Sequence, residues 1–424
     1  MFKILFSNSL FNSSAIYTFS SIINSAIPFI FLPLLTRILT PSEYGIIAMF
    51  NISVSVAYAL VGLNLEAAIA RKYYEEDSNF SFFVGTSTVL STISAIILSF
   101  VFWYNSEFFS NLTQIPNKYI ILIIILAYFR FLMLALLTVF QVQTKALNYG
   151  FLQIFHSIFS ISLTLYLLFV IELSWEARIV GQLIAGFVVA IISLYILIKS
   201  KYLKFNVFKN DLNYAISFGV PLIPHAIASV GLIVIDRFFL TKLIGLDATG
   251  VFTTGYQLGA IISLFTISFN NAFVPWLFEN LNKHDLSINR KIVKLTYVSF
   301  AIIIFVSILL IYLFPYIMEL FIGEKFHGIN AYSYLIILGF TFQGMFFMVT
   351  CYLYYAKKTY IQSLISFGIV LIKIPLTYYA ITYYGIVGAG WSFLITYALF
   401  FLITWFVSSR VYKMPWLKPV FFSK

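Results

Sequence analysis

The sequence contains few charged residues. Only 10% of its 424 residues are Asp, Glu, Lys or Arg, whereas a soluble globular domain carries about 25%. Hydrophobic residues make up 61% of the chain and aromatic residues 20%. This composition excludes a soluble enzyme or binding module. It predicts an integral membrane protein with aromatic residues at the membrane interfaces.

Metal-binding and catalytic motifs are also missing. Cys351 is the single cysteine, which excludes an internal disulfide and any multi-cysteine metal site. The four histidines are scattered without ligand spacing: His156, His225, His284 and His327. There is no GxxxxGKS/T phosphate loop, no HExxH and no GxSxG sequence. We therefore expect no metal, no cofactor and no direct use of ATP by this chain, which favours a transporter over an enzyme.

Long apolar runs dominate what is present. A helix that spans a bilayer needs about 20 apolar residues, and twelve segments meet that rule. Those of the first half are Phe11–Thr36, Tyr44–Leu63, Phe80–Tyr104, Ile120–Val142, Tyr149–Ile171 and Ile179–Ile198. Those of the second half are Tyr214–Leu243, Gly250–Leu277, Leu295–Phe321, Tyr332–Tyr355, Ile361–Tyr384 and Val387–Val411. The first and seventh spans contain prolines that should bend them: Pro28, Pro33, Pro221 and Pro224.

A short sequence repeat divides the chain in two. The tripeptide LTR at 35–37 is followed by Gly45, and LTK at 240–242 is followed by Gly250, each 205 residues later. Six spans separate the copies, so both have the same orientation in the membrane. We therefore predict an all-α fold of two six-helix lobes related by a pseudo-two-fold axis along the membrane normal, with a cavity between them.

The lobes are expected at 1–199 and 213–424, joined by a basic linker at 200–212. With the N-terminus inside, eighteen of the 26 lysines and arginines fall in cytoplasmic segments and five in external loops. This distribution follows the positive-inside rule, so both termini should be cytoplasmic. The net charge of +11 is thereby explained by topology, and no nucleic-acid partner is expected.

Three cations lie inside predicted spans: Arg130, Arg237 and Lys373. Charges in a span normally face a wet cavity and serve function. The one deeply placed acid, Asp236, can pair with any of the three but cannot neutralise all of them. An excess of positive charge favours an anionic ligand, and Arg and Lys suit phosphate oxygens. The alternative is that these charges form buried structural pairs.

Polar side chains in the spans follow helical stripes. His225, Ser229, Leu232 and Asp236 are spaced 4, 3 and 4 and share one face of the seventh span. Asn270 belongs to a similar stripe on the eighth span. Such stripes either line a cavity or hold helices together. His225 could titrate near neutral pH.

Several stretches carry a family resemblance. Residues 33–45 read PLLTRILTPSEYG; residues 221–224 read PLIP, followed by Asp236, Arg237, Gly245 and Gly250. Pro275 follows Asn271 and Ala272. These motifs, in a chain of twelve spans, resemble bacterial polysaccharide (O-antigen repeat-unit) flippases of the multidrug/oligosaccharidyl-lipid/polysaccharide exporter superfamily. Arg130 and Lys373 are not positions of that signature.

The resemblance implies an activity. The family moves undecaprenyl-diphosphate-linked oligosaccharides from the cytoplasmic to the outer leaflet of the bacterial cytoplasmic (inner) membrane by alternating access. Arg130, Arg237 and Lys373 would then hold the diphosphate. Asn270 and Gln362 would meet sugar hydroxyls. The lipid tail would remain in the bilayer between the lobes.

The resemblance also implies coupling to a proton or sodium gradient, for which Asp236 and His225 are the candidate residues. Contact with the polysaccharide polymerase machinery is a further expectation. Three alternatives stay open. A drug or cation antiporter of the same superfamily would need an acidic cavity. A peptidoglycan-precursor flippase would have fourteen spans. A polysaccharide polymerase or ligase would need a large outer loop.

Overall fold

A computed structural model describes residues 8–75, 79–205, 208–283 and 285–416. Most of the residues in those ranges are helical, and none lies in a β-strand. The α-helices in the first 205 residues are α1 (Asn8–Ile38), α2 (Pro41–Gly62), α3 (Leu65–Lys72), α4 (Phe80–Tyr104), α5 (Ser106–Thr113), α6 (Ile120–Val142), α7 (Ala146–Phe169) and α8 (Glu176–Lys199). Those that follow are α9 (Lys209–Gly219), α10 (Ile223–Leu243), α11 (Leu246–Gly259), α12 (Ile261–Leu281), α13 (Leu286–Phe321), α14 (Ser333–Tyr355) and α15 (Thr359–Val411).

The α15 segment is two antiparallel spans joined at a glycine. Gly385 has φ 60° and ψ −139°, a backbone conformation that glycine adopts without a steric penalty. The hydroxyls of Thr377 and Ser392 lie 2.6 Å apart, although 15 residues of continuous helix would separate them by about 22 Å. A methyl group at Gly388 would lie 1.9 Å from the Ala380 carbonyl oxygen. The chain therefore reverses direction at Gly385.

The predicted number of spans agrees with this architecture. In the described ranges, ten helical segments are long and apolar enough to cross a membrane. One of these is α15, which counts twice, and α1 supplies the remaining span with its apolar stretch Ile22–Ile38. The chain passes from α9 to α10 through a 3₁₀ turn at Val220–Leu222, where the sequence predicts a bend at Pro221. By contrast, α1 stays helical through Pro28 and Pro33.

Two compact units make up the chain. Unit 1 comprises Met1–Phe31 and Ser42–Val230, and unit 2 comprises Leu32–Pro41 and Gly231–Lys424. The boundaries fall inside α1, after the first residue of α2 and inside α10, so α1 and α10 each contribute several residues to both units. The lobe limits predicted at 199 and 213 stay predictions.

In unit 1, α6 forms the centre of the core. Phe131, Ala135 and Val139 recur every four residues along it and are fully buried. The segment after α8 is fixed to α4: the Lys204 amide donates to the Ser81 carbonyl (3.0 Å). A methyl group at Gly85 would meet the Lys204 carbonyl oxygen at 2.0 Å. The start of the predicted linker is therefore docked against α4.

In unit 2, α14 packs against α12, α13 and α15. Glycines permit two of these contacts, because a methyl group at Gly339 would lie 2.3 Å from the Phe393 ring, and one at Gly344 would lie 2.4 Å from Thr266. The rings of Phe340 and Phe393 are 5.0 Å apart. Outside the core of both units, many large apolar side chains are exposed, as expected for a surface that faces lipid.

Candidate functional site

A polar cavity lies within unit 1, among α1, α2, α6, α7 and α8. Its volume is about 270 Å³. The polar side chains that line it include Asn51, Arg130, His156, Ser157, Arg178 and Gln182. None of the described lining residues is acidic. Two permanent cations and an imidazole therefore face one cavity surrounded by apolar helices.

Arg130 enters this cavity from the middle of α6. Its guanidinium carbon lies 5.1 Å from the centre of the Tyr58 ring, a cation–π contact. Glu66, in the first turn of α3, interacts electrostatically with both Tyr58 and Arg130. The predicted mid-span cation thus faces a polar cavity.

Arg178 also lines the cavity, although it lies just before the predicted span Ile179–Ile198. It lies in the first turn of α8, and its guanidinium donates long hydrogen bonds to the hydroxyls of Ser160 (3.5 Å) and Thr164 (3.4 Å). Arg178, Gln182 and Gly186 all line the cavity. Their spacing of four residues is the sequence signal that could have identified this face.

His156 and two amides complete the site. His156 interacts electrostatically with both Arg130 and Arg178. The Gln182 amide donates to Asn51 Oδ1 (3.1 Å), which orients both side chains toward the same space. The cavity can therefore offer charge-assisted hydrogen bonds to an anion and amide contacts to hydroxyl groups.

A second polar cluster lies within unit 2, where Lys373 and Asp236 form an ion pair. Lys373 Nζ is 2.7 Å from Asp236 Oδ2, and both side chains are fully buried. The ammonium also donates to the Leu232 carbonyl, and the Thr377 hydroxyl donates to Asp236 Oδ1 (3.4 Å). The structure thus has the alternative arrangement considered for Lys373, a buried pair with no net charge.

Arg237 follows Asp236 in the sequence, but its side chain has different partners. Its side chain is 4% exposed and donates to the Thr253 hydroxyl (3.2 Å) and the Ile233 carbonyl (2.9 Å). Its guanidinium carbon lies 4.2 Å from the centre of the Tyr256 ring. Arg237 and Lys373 therefore belong to unit 2, whereas Arg130 lines the cavity of unit 1.

Three further predicted site residues have separate positions. Asn270 Oδ1 accepts a weak hydrogen bond from the Cys351 thiol (3.7 Å). Gln362 Oε1 accepts from the Thr350 hydroxyl (3.0 Å). Both side chains thus form hydrogen bonds with residues of α14, whereas Asp236 and Lys373 have other partners. The side chain of His225 lies outside the described residues.

The chain is similar in sequence to known proteins. A family model described as polysaccharide biosynthesis protein matches residues 10–281. A Haemophilus influenzae protein named Lsg locus putative protein 1 is 26% identical over 406 residues, which cover 90% of this chain and 95% of that protein. An uncharacterized membrane protein of the same species is 26% identical over 358 residues, covering 83% and 85% respectively.

Solved structures of transporters have the same fold. The inward-facing form of a multidrug resistance MATE family transporter of the MOP superfamily aligns with a TM-score of 0.72 at 13% identity, covering 92% of this chain and 94% of that one. An outward-facing form aligns with a TM-score of 0.63, also at 13% identity, covering 94% and 95%. The predicted fold class, an all-α membrane protein with twelve spans in two lobes, is confirmed by this likeness.

Proposed function

The chain belongs to the polysaccharide biosynthesis protein family, and on that basis we propose that it flips an undecaprenyl-diphosphate-linked oligosaccharide from the cytoplasmic to the outer leaflet of the bacterial inner membrane. The family and the transporter fold confirm the coarser prediction: a multi-pass membrane transporter, not an enzyme. The specific substrate, its direction and its coupling are our proposal.

The observation that best supports this proposal is the polar cavity of unit 1, which we call the cationic cavity because two arginines line it. Arg130, Arg178 and His156 face a volume of about 270 Å³ whose described lining holds no carboxylate. Cations in membrane spans are costly unless they serve a polar partner. Because the described lining contains no carboxylate, the positive charge of Arg130 and Arg178 remains for a ligand. A diphosphate supplies the matching anion, and arginine forks bind its oxygens in pairs.

The sign of this charge also argues against the main alternative. A drug or cation antiporter would need to attract a cation, and Arg130 and Arg178 repel one at close range. The MATE structures share this fold at 13% identity, so their likeness carries no information about the ligand. The cavity therefore favours an anionic headgroup.

Sugar recognition can begin at the same site. The amides of Asn51 and Gln182 contact each other at the cavity wall, and either can turn to meet a hydroxyl. In unit 2, Arg237, Asn270 and Gln362 stay predicted substrate contacts, to be used in other steps of the cycle.

We assign coupling to the buried pair of unit 2. Binding of a proton or a sodium ion to Asp236 would compete with Lys373 for the same carboxylate. His225 stays a second candidate on the same helix. The proposal also places both termini in the cytoplasm, as the distribution of basic residues predicts, and leaves room for contact with the polymerase machinery.

A headgroup-binding experiment tests this function. Arg130→Gln, Arg178→Gln and the double variant are compared with Arg71→Gln, whose native side chain is 64% exposed in unit 1. We expect the double variant to lose surface glycan in cells and to lose binding of undecaprenyl diphosphate in nanodiscs, at unchanged membrane level. Arg71→Gln should behave as wild type. Full binding and glycan display in the double variant would contradict the proposal.

A further inference from the structure

An apolar groove opens on the surface of unit 1 between α1 and α7. Its volume is about 630 Å³, and its apolar lining includes Ile16, Phe19, Leu147, Phe151 and Ile154. Phe19, Leu147 and Phe151 are 65%, 71% and 72% exposed. The groove is therefore open to the surroundings of the helix pair, which in the membrane are lipid.

The floor of the groove is a close contact between the two helices. A methyl group at Gly150 would lie 2.2 Å from Ser20 Oγ, so glycine allows the two helices to approach closely at this crossing. One turn away, the rings of Tyr17 and Tyr149 meet edge to face at 5.1 Å. These two contacts form the floor of the groove.

The same faces of α1 and α7 continue into the cationic cavity. Leu147, Phe151 and Ile154 line the groove, and Ser157 and Ile161 follow on the same stripe and line the cavity. Gly150 and Ser157 are seven residues apart, which is about 10 Å along the helix axis. A single helix pair therefore joins an apolar groove to a cavity that contains two arginines.

A hydrogen bond marks the junction of the two spaces. Ser157 of α7 donates to Asn24 Oδ1 of α1. On the groove side the lining is almost entirely apolar. On the cavity side, His156 directly precedes Ser157 in the chain, and Arg130 of α6 lines the same cavity. This polarity change over a few residues matches an amphiphile whose charged headgroup is attached directly to a hydrocarbon chain.

We propose that the α1–α7 groove holds the first isoprenoid units of the lipid-linked substrate while its diphosphate lies in the cationic cavity. This inference rests on the proposed function and deepens it, because it moves the tail from the space between the lobes to a groove within unit 1. A polyprenyl diphosphate carries one chain on one dianionic headgroup, and the α1–α7 groove offers an apolar path for one chain next to the cavity. A phospholipid would bring two chains to the same headgroup position.

Photo-crosslinking tests the groove. Photoreactive p-benzoylphenylalanine is placed at Phe151 in the groove, at Phe129 in the cavity lining, or at Phe100, a control that is 64% exposed on α4. Each variant is reconstituted in phospholipid nanodiscs with undecaprenyl diphosphate and irradiated. Mass spectrometry then identifies the adducts. We expect isoprenoid adducts at positions 151 and 129 and only phospholipid adducts at position 100.

The outcomes separate the two levels of the proposal. Isoprenoid adducts at position 129 with phospholipid alone at position 151 would overturn the groove assignment and leave the proposed function intact. No isoprenoid adduct at either position would count against the headgroup site itself. Equal isoprenoid labelling at positions 151 and 100 would show unspecific contact and would also overturn the groove.

A binding measurement provides an independent check. Phe151→Ser removes apolar surface from the groove, and Phe100→Ser removes a similar area elsewhere in unit 1. We expect Phe151→Ser to weaken undecaprenyl diphosphate binding by about fivefold and Phe100→Ser to leave it unchanged. Equal affinities in the two variants would contradict the proposal.

Discussion

Lys373 Nζ lies 2.7 Å from Asp236 Oδ2, and neither side chain has any exposed surface. The two residues come from α15 and α10, 137 positions apart in the chain. Removing one member of such a pair leaves the other charge buried without a partner, and this costs about 3–5 kcal/mol. The pair therefore links stability to any event that changes the charge of Asp236.

Asp236→Asn should destabilise the protein through the stranded Lys373 ammonium. We expect a loss of about 3 kcal/mol and a lower melting temperature of the detergent-solubilised protein. The double variant Asp236→Asn/Lys373→Met removes both charges and should recover most of the loss. A double variant as unstable as the single one would show that the pair is not the cause.

The same double variant tests gradient coupling without the stability problem. With no carboxylate at 236, a proton or sodium ion has no site there. Transport in proteoliposomes should then proceed down the substrate gradient at a rate that no longer responds to an imposed pH or sodium gradient. Undiminished gradient dependence would move the coupling ion to another site.

Gly385→Ala should destabilise the hairpin of α15, because Gly385 has φ 60° and ψ −139°. A non-glycine residue in such a conformation costs about 1–3 kcal/mol. Gly368 is the matched control, since it lies inside the same helix and a methyl group there would meet nothing within 4 Å. Gly368→Ala should be neutral or stabilising by up to about 1 kcal/mol. Thermal unfolding of both variants measures the difference.

Glu75 predicts a pH-dependent contact at the edge of unit 1. Hydrogen bonds from Lys72 (2.8 Å) and Tyr214 (2.7 Å) lower the pKa of the Glu75 carboxyl below its ordinary value, the Lys72 bond contributing most. Because the folded-state pKa is depressed, the contact is fully present above the unfolded pKa and is lost as pH falls through the folded one.

Hydrogen exchange of α9, which carries Tyr214, measures this contact. The protection factor of the α9 amides, which corrects for the intrinsic pH dependence of exchange, should be constant in wild type from neutral pH down to the ordinary Glu range and should fall below it. Glu75→Gln should have a lower protection factor at neutral pH and show no such fall. An identical pH profile in both proteins would contradict the assignment.

The sequence predicted the spans because runs of about 20 apolar residues are a local property. It also predicted that Leu232 and Asp236 share a face, and Lys373 contacts both. The identity of that partner was out of reach, because pairing across 137 residues is decided by tertiary packing. Arg178 was missed since it precedes the apolar run, while the helix itself begins at Glu176.

The cavity of unit 1 was only partly predictable for the same reason. Arg130 was conspicuous as a cation in an apolar run. Its neighbours Arg178 and His156 come from two other helices, and no sequence spacing relates one helix to the next. Composition could therefore identify an unusual charge but not the space that the charge faces.

The assignment of residues 32–41 to unit 2 has a consequence for attempts to divide the gene. Thr36 is fully buried, and a methyl group at Gly323 would lie 2.3 Å from its carbonyl oxygen. An N-terminal fragment that ends in the linker at 200–212 would contain residues 32–41 but not Gly323. A C-terminal fragment that starts in the linker would contain residues 213–230 but not the rest of unit 1. Neither fragment contains all the residues of its own unit. We therefore expect the two fragments to accumulate in the membrane only when both are expressed in the same cell.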